Sequence, residues 1–453
     1  MKTPKIIKYP NGLTLVYLKK TNQKGVYFNI VFGGGLFNDP LDKLGLSHFV
    51  EHTIVFSDKK YSHDEKMEYL RKIYDRHFET GKSRIRFQAS VHKDLFEDTF
   101  KTYCEYLSSD NMNINEDEFE NERKVIEQEI LRRKITNETK IQHMHDKHVY
   151  NMPYTEIRPA GTIETIKNIS ISDVEKFRKE TFVINNCTIF VVGNVSLFKT
   201  KSLINKYAMK MIGKSSVSKK YIETSDFYIK TQKPDMIVEQ SPEEDKSFLL
   251  ISHCFDLENV LDLTKSYISA IINEIMQNAA RSYFRDKYGL TYHAKITFGS
   301  YTYDLNNTVL TRCYVFLNVD CDKNNVAKIL ELLPGFYNHL NRYVLTKEKI
   351  GELKLTLKRD DQMKSIPSIG RLGEYFSDRY FEHKKYKTAA QLRQYERNKK
   401  KVSYEDVNNH IKTMLQQKPF IFVITNSEDK LPEYKTICKQ IQDNIKWCKS
   451  INE

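Results

Sequence analysis

Two tandem domains of similar α+β fold, each a mostly antiparallel sheet packed against helices, are what this 453-residue sequence predicts. Three observations carry the prediction. Val26-Tyr-Phe-Asn-Ile-Val-Phe32 and Ser247-Phe-Leu-Leu-Ile-Ser-His253 are strand-like apolar runs, each followed by a helical pattern, and residue 26 stands 221 positions before residue 247. Near the ends of the halves, Thr188-Ile-Phe-Val-Val-Gly-Asn194 resembles Phe420-Ile-Phe-Val-Ile-Thr-Asn426 at an offset of 232, each after a helical stretch with Asp173-Val174 or Asp406-Val407 near its start. Similar offsets at two places indicate a degenerate duplication. Third, Pro10-Asn11-Gly12 joins two strand-like runs as a hairpin, which calls for antiparallel pairing, and runs of strands followed by runs of helices suggest layered α+β packing. The expected boundaries are 1–213 for the first domain, 214–238 for a linker opening on the polar Lys214-Ser-Ser-Val-Ser-Lys-Lys220, and 239–453 for the second domain.

Along the first half the chemistry concentrates in His48-Phe49-Val50-Glu51-His52. Residues four apart on a helix share a face, so His48 and His52 can offer ring nitrogens to one metal with Glu51 beside them. The H-x-x-E-H order reverses the commoner H-E-x-x-H metalloprotease helix. A catalytic zinc usually has three protein ligands and an open fourth position. Asn115 to Ile130 is helical in pattern, with Phe119, Ile126 and Ile130 apolar among charges, and Glu122 and Glu129 stand seven apart on one stripe with Val125 between them. By spacing, either carboxylate could reach the metal.

These residues resemble the pitrilysin, insulin-degrading enzyme and mitochondrial processing peptidase superfamily. Gly45-Leu-Ser-His-Phe-Val-Glu-His52 is similar to its metal helix, and Glu122-Arg-Lys-Val125 before Glu129-Ile130 to its third-ligand helix. Gly161-Thr-Ile-Glu-Thr-Ile166 and the strand at 188–194 resemble its first-domain closure, and Arg285-Asp-Lys-Tyr-Gly-Leu-Thr-Tyr292 a later element. The resemblance implies a zinc metalloendopeptidase with one Zn2+ per chain, held by His48, His52 and Glu129, with Glu122 orienting the site from behind. Zinc in that setting brings the pKa of its water toward roughly 7, and Glu51 takes the proton as general base. Arg285 and Tyr292 are implied to hold substrate and stabilise the oxyanion.

The resemblance further implies a short or unfolded peptide bound as an added strand in an enclosed chamber. Where the family carries Asn-Ala-x-Thr on the strand lining its cleft, this chain has His77-Phe78-Glu79-Thr80, a departure that puts the family's subsite just beyond the scissile bond in doubt and points to a specialised substrate. Fused members use four domains; two domains here imply a homodimer, or a heterodimer with a related subunit, whose chains complete each other's sites. The rival is a catalytically inactive, peptidase-like scaffold, and leader-peptide processing is an alternative substrate reading.

Composition is that of a globular chain, 40% hydrophobic, without an eighteen-residue apolar run. The N-terminal segment lacks a continuous apolar core and a small-residue cleavage site, so the expectation is an unsecreted, cytoplasmic protein. Seven cysteines, at 104, 187, 254, 313, 321, 438 and 448, show no paired spacing and read as reduced thiols. The net charge of +13 is tempered by 59 acidic residues, and no nucleic-acid motif accompanies it. His143, His145 and His148 read as a solvated helix face, and Gly33-Gly34-Gly35 as a flexible turn before the metal helix.

Overall fold

The computed structural model describes residues 4–73, 75–108, 112–132, 136–149, 158–212, 233–258, 263–305, 308–344, 348, 350–355, 369–383, 397–398, 401–415 and 417–445. The chain forms two compact units. The first comprises Met1–Lys134, Ile157–Asp226 and Ile366–Ala389, and the second Ile135–Glu156, Phe227–Ser365 and Ala390–Glu453.

In the first unit the strands are β1 (Lys5–Lys8), β2 (Thr14–Lys19), β3 (Gly25–Gly33), β4 (Asp75–Thr80), β5 (Arg84–His92) and β6 (Cys187–Gly193), in the spatial order β1-β2-β6-β3-β5-β4. The hairpin at Pro10–Gly12 forms, pairing Lys5 with Tyr17 and Lys8 with Thr14 antiparallel. Only β2 and β6 run parallel. β2, β3 and β6 are buried almost end to end, which requires cover on both faces and explains why they read as continuous apolar runs. β4 is the edge strand, and it alternates in charge and exposure accordingly.

The helices of this unit are α1 (Leu46–His52), α2 (His63–Arg71), α3 (Phe96–Tyr106) and α4 (Glu116–Arg132); after α5 (Asn137–Val149), which joins the second unit, come α6 (Ile163–Lys167), α7 (Ile171–Thr181) and α8 (Leu197–Leu203). Their apolar stripes and the inner sheet face make one core, in which Phe28 meets Phe96, Phe100 and Tyr103. The second unit adds β7 (Met236–Glu239), β8 (Lys246–Glu258), α9 (Leu263–Ala280), β9 (His293–Leu305), β10 (Thr308–Asp322) and α10 (Val326–Val344). After α11 (Ile369–His383), which belongs to the first unit, come α12 (Tyr404–Leu415), β11 (Phe420–Ile424) and α13 (Tyr434–Ile445).

Its sheet order, β7-β11-β8-β10-β9, repeats that of the first sheet without β1. β11 pairs parallel with β7 and antiparallel with β8, as β6 does with β2 and β3. The duplication expected from the sequence therefore holds strand by strand.

It holds for a helix exchange as well. α11 covers the outer face of the first sheet, where Leu372, Ile369 and Tyr380 join Val16, Leu18, Tyr27, Val31, Phe190 and Val192. α5 covers the second sheet, Ile141, Met144 and Val149 packing on Leu250, Phe316, Phe420 and Phe422. The two helices start at 137 and 369, again 232 apart. Residues 213–232, most of the expected linker, lie outside the described residues, and Met236–Glu239 at its end is a strand.

Two sequence expectations change here. His145 is fully buried rather than solvated: Nε2 lies 3.1 Å from the Ser252 hydroxyl, the ring packs edge-on to Phe316, and burial lowers its pKa. The helical face it shares with Met144 and Ile141 faces a sheet rather than water. The glycine turn is also tied down, since Gly34 N–H donates to Ser83 O at 3.0 Å and Phe37 N–H to Lys82 O at 2.8 Å.

Candidate metal centre

A seven-residue helix such as α1 is too short to persist alone, so tertiary contacts must hold it. At its start the buried Asp39 carboxylate accepts the N–H of Gly45 (2.9 Å), the N–H of Ser47 (3.0 Å) and the Ser47 hydroxyl (3.1 Å). These bonds satisfy helix donors that have no partner inside the helix. Gly45 itself lies against Ala160 and Gly161 so closely that a Cβ on Gly161 would stand 2.0 Å from Leu44 O. At the helix end the buried Arg178 donates to the carbonyls of Thr53, Tyr106 and Ser108, and the buried Lys66 pairs with Asp58 at 2.7 Å while donating to Ile54 O. Two cations thus sit where helices expose carbonyls.

Leu46, Phe49 and Val50 point into the core, which turns His48 and His52 to the opposite face. Phe49 stacks on Phe119 of α4 with ring centroids 4.6 Å apart, bringing the glutamate helix alongside. Arg123 locks that contact: its guanidinium lies 4.8 Å from the Phe119 ring and donates to Ile169 O at 2.8 Å.

The result is a compact donor set. His48 Nε2 is 3.6 Å and His52 Nε2 3.8 Å from Glu129 Oε2, and the three candidate ligand atoms all fall within 4.8 Å of one another. A tetrahedral zinc with bonds near 2.0–2.1 Å holds its ligands about 3.4 Å apart, so this set fits the ion with little adjustment. Among the described residues it is the one group of three or more such side chains. Glu122 Oε1 lies 2.7 Å from His52 Nδ1, which assigns the proton to Nδ1 and leaves Nε2 as the donor toward the metal position. Burial alone would lower the His52 pKa, but the bond to Glu122 and the charges of Glu51, Glu122 and Glu129 outweigh it and raise it.

Glu51 completes the group, with Oε2 4.0 Å from His48 Nε2. Burial raises its carboxyl pKa, against lowering by His52 and by the Thr80 hydroxyl, which donates to Oε2 at 3.2 Å. That bond joins the edge strand β4 to the carboxylate. Of the other expected β4 residues, Phe78 packs on Phe87 and Tyr103, while the exposed His77 stands 3.7 Å from the half-buried Glu79.

Arg285 and Tyr292 belong to the second unit and come together there. The guanidinium stands 4.7 Å from the tyrosine ring, which is 70% exposed. Arg285 lies on a π-helical stretch, Arg281–Lys287, of the widened kind that often marks functional sites. Cys104, Cys187, Cys254, Cys321 and Cys438 are free thiols, and burial pushes those of Cys104 and Cys187 up. No helix among the described residues is long and apolar enough to cross a membrane.

Sequence reasoning missed Asp39, Arg123, Lys66 and Arg178. Arg123 and Arg178 reach carbonyls of segments distant in sequence, and Asp39 and Lys66 close loops across nearer residues, so no helix or strand period announces any of them.

A model of the insulinase family, peptidase family M16, matches residues 14–156, and one described as the peptidase M16 inactive domain matches 168–357. The probable zinc protease PqqL of Haemophilus influenzae is 24% identical over 232 residues, covering 49% of this chain and 24% of that protein. The zinc protease PqqE of Helicobacter pylori is 26% identical over 226 residues, covering 47% of this chain and 49% of that protein. The chain thus matches half or less of these relatives' lengths. Among solved structures, the first half of the periplasmic protease PqqL from Escherichia coli superimposes with a TM-score of 0.77 at 13% identity, covering 98% of this chain and 97% of that one.

Proposed function

We propose that this chain, which belongs to the insulinase family of peptidases, family M16, is a zinc metalloendopeptidase acting on short or unfolded peptides. The observation that carries the reading is the convergence of His48, His52 and Glu129 beside the partly buried Glu51. The two imidazoles and Glu129 hold the ion, one per chain. When bound, zinc supplies a Lewis acid that polarises the scissile carbonyl and acidifies water. Glu51 receives the proton of the attacking water and passes it to the leaving amine. Its raised pKa makes it a stronger base toward that proton than an ordinary surface carboxylate.

Thr80 keeps the carboxylate turned toward the metal position. The edge of β4, unpaired among the described residues, receives the peptide as an added strand, with His77 and Glu79 beside it. Arg285 and Tyr292 act on the carbonyl oxygen, supplied by a second copy or by a related subunit. The inactive-domain match, residues 168–357, covers these two residues and the end of the first unit but none of the metal set. It does not favour the scaffold reading of the whole chain.

Cleavage of a quenched peptide library, read by mass spectrometry for wild type and Glu51→Gln, tests the proposal. Glu51-dependent products support it and report the specificity. For the partner, mixing Glu51→Gln and Tyr292→Phe chains restores activity if sites are shared between chains; no recovery after demonstrated subunit exchange overturns that part.

A further inference from the structure

Beyond the two glutamates at the metal position, α4 grips the chain that follows α1 at a third place. We infer that Glu118 is a positioning residue that sets how far along its axis α4 sits, and hence where Glu122 and Glu129 meet the histidines. The inference rests on the zinc reading above.

The geometry is a ladder of carboxylates on one helix stripe. Glu118, Glu122 and Glu129 stand at i, i+4 and i+11; eleven residues make just over three whole turns, so all three face the same way. Each meets a successive part of the metal segment. Glu129 Oε2 lies 3.6 Å and 3.8 Å from the two imidazole nitrogens, Glu122 is 2.7 Å from His52 Nδ1, and Glu118 Oε2 accepts the backbone N–H of Ser57 at 3.0 Å. Glu118 Oε1 also accepts the Ser57 hydroxyl, which in turn accepts the N–H of His63 at 3.1 Å, the first residue of α2. An antiparallel backbone bridge between Asp58 and Met112 reinforces the same attachment just before α4 begins.

Phe49 on Phe119 fixes the lateral approach of the two helices, but a stacked ring pair resists sliding poorly. Directional hydrogen bonds to a backbone N–H resist it well. A slip of one residue moves Glu129 by about 1.5 Å along the axis, whereas a metal site tolerates ligand displacements of about 0.2 Å. Glu118 stands about 16 Å of helix away from Glu129. It does not belong to the donor set, so any effect on metal affinity passes through helix position.

Glu118 also occupies the first turn of α4, where an acid favours the helix dipole whatever it touches. The two roles make opposite predictions for conservative variants. Glu118→Asp keeps the charge at the helix start but is one methylene too short to reach Ser57. Glu118→Gln loses the charge but keeps the reach: its amide oxygen accepts the Ser57 N–H, and its amide nitrogen donates to the hydroxyl.

Zinc affinity, measured by chelator competition on the full chain, is compared with urea unfolding of the metal-free protein for wild type, Glu118→Gln, Glu118→Asp and Glu118→Ala. Positioning predicts that Asp and Ala weaken zinc binding about 10- to 100-fold, as loss of groups supporting a ligand commonly does, while Gln stays within about threefold. Wild-type affinity in Asp with loss in Gln would overturn it in favour of the dipole role. Unchanged affinity in all three would overturn it as well. A wild type that binds no zinc would fail the functional reading itself, which separates the two failures.

Discussion

Replacing Gly161 by alanine should cost far more than replacing Gly289, although both have positive φ, +75° and +62°. For Gly289 an added Cβ meets nothing within 4 Å, so the cost is the left-handed conformation alone, about 1 kcal/mol. For Gly161 the same Cβ lands 2.0 Å from Leu44 O, 2.6 Å from Leu44 C and 3.0 Å from Gly45 Cα. These are backbone atoms, with no flexible side chain to swing away. Relief requires the 160–161 turn and the 44–45 turn to part by more than about 1 Å, given ordinary carbon–oxygen contacts near 3.3 Å. Parting them stretches the 2.6 Å bond from the Thr165 hydroxyl to Leu44 O, worth about 1 kcal/mol, and pulls on the donors held by Asp39. The total is about 3–5 kcal/mol, and because Gly45 is the residue that caps the start of α1, zinc affinity should fall too. Urea unfolding of both variants, with zinc titration of each, gives the answer. Equal costs, or a Gly161→Ala cost near 1 kcal/mol, would refute the idea that close approach of these turns seats the metal helix.

Three further outcomes are expected. Glu122→Gln removes the charge that holds the His52 Nδ1 proton and should weaken zinc binding about 10- to 100-fold by chelator competition, with little change in the unfolding of the metal-free protein. Arg178→Met removes the donor to the buried carbonyls of Tyr106 and Ser108, Thr53 O keeping the Phe56 N–H, and urea unfolding should show a loss of about 2–4 kcal/mol. His253 is buried between Tyr337 and the Gln417 carbonyl, and burial lowers its pKa from 6.5 to about 4. Its folded pKa lies below its unfolded one, so its contribution is fully present above pH 6.5 and is lost as pH falls toward 4. Stability measured across that window should drop by up to about 3 kcal/mol, with a shallower slope in His253→Gln.

What could be read in advance follows the range of the interactions. Period and spacing placed His48 and His52 on one helix face and put Glu122 and Glu129 on one stripe, because helical geometry is local. The duplication was visible because buried strands keep their apolar runs even when their sequence drifts, and the sheet orders match accordingly. The exchange of α5 and α11 was not visible. A helix pattern names an apolar face without saying which sheet that face meets, and this is how His145 came to read as solvated. Arg123 and Arg178 escaped for a related reason: a charge becomes a clasp only when segments distant in sequence close around it. The i, i+4, i+11 spacing of Glu118, Glu122 and Glu129 was present in the sequence and would have indicated the ladder.

Metal analysis alongside peptide cleavage, on wild type, Glu51→Gln and Glu129→Gln, tests the central claim most directly. One zinc in wild type and in Glu51→Gln, sharply reduced zinc in Glu129→Gln, and cleavage by wild type alone is the result the site predicts. One zinc per chain with cleavage unchanged in Glu51→Gln would contradict it.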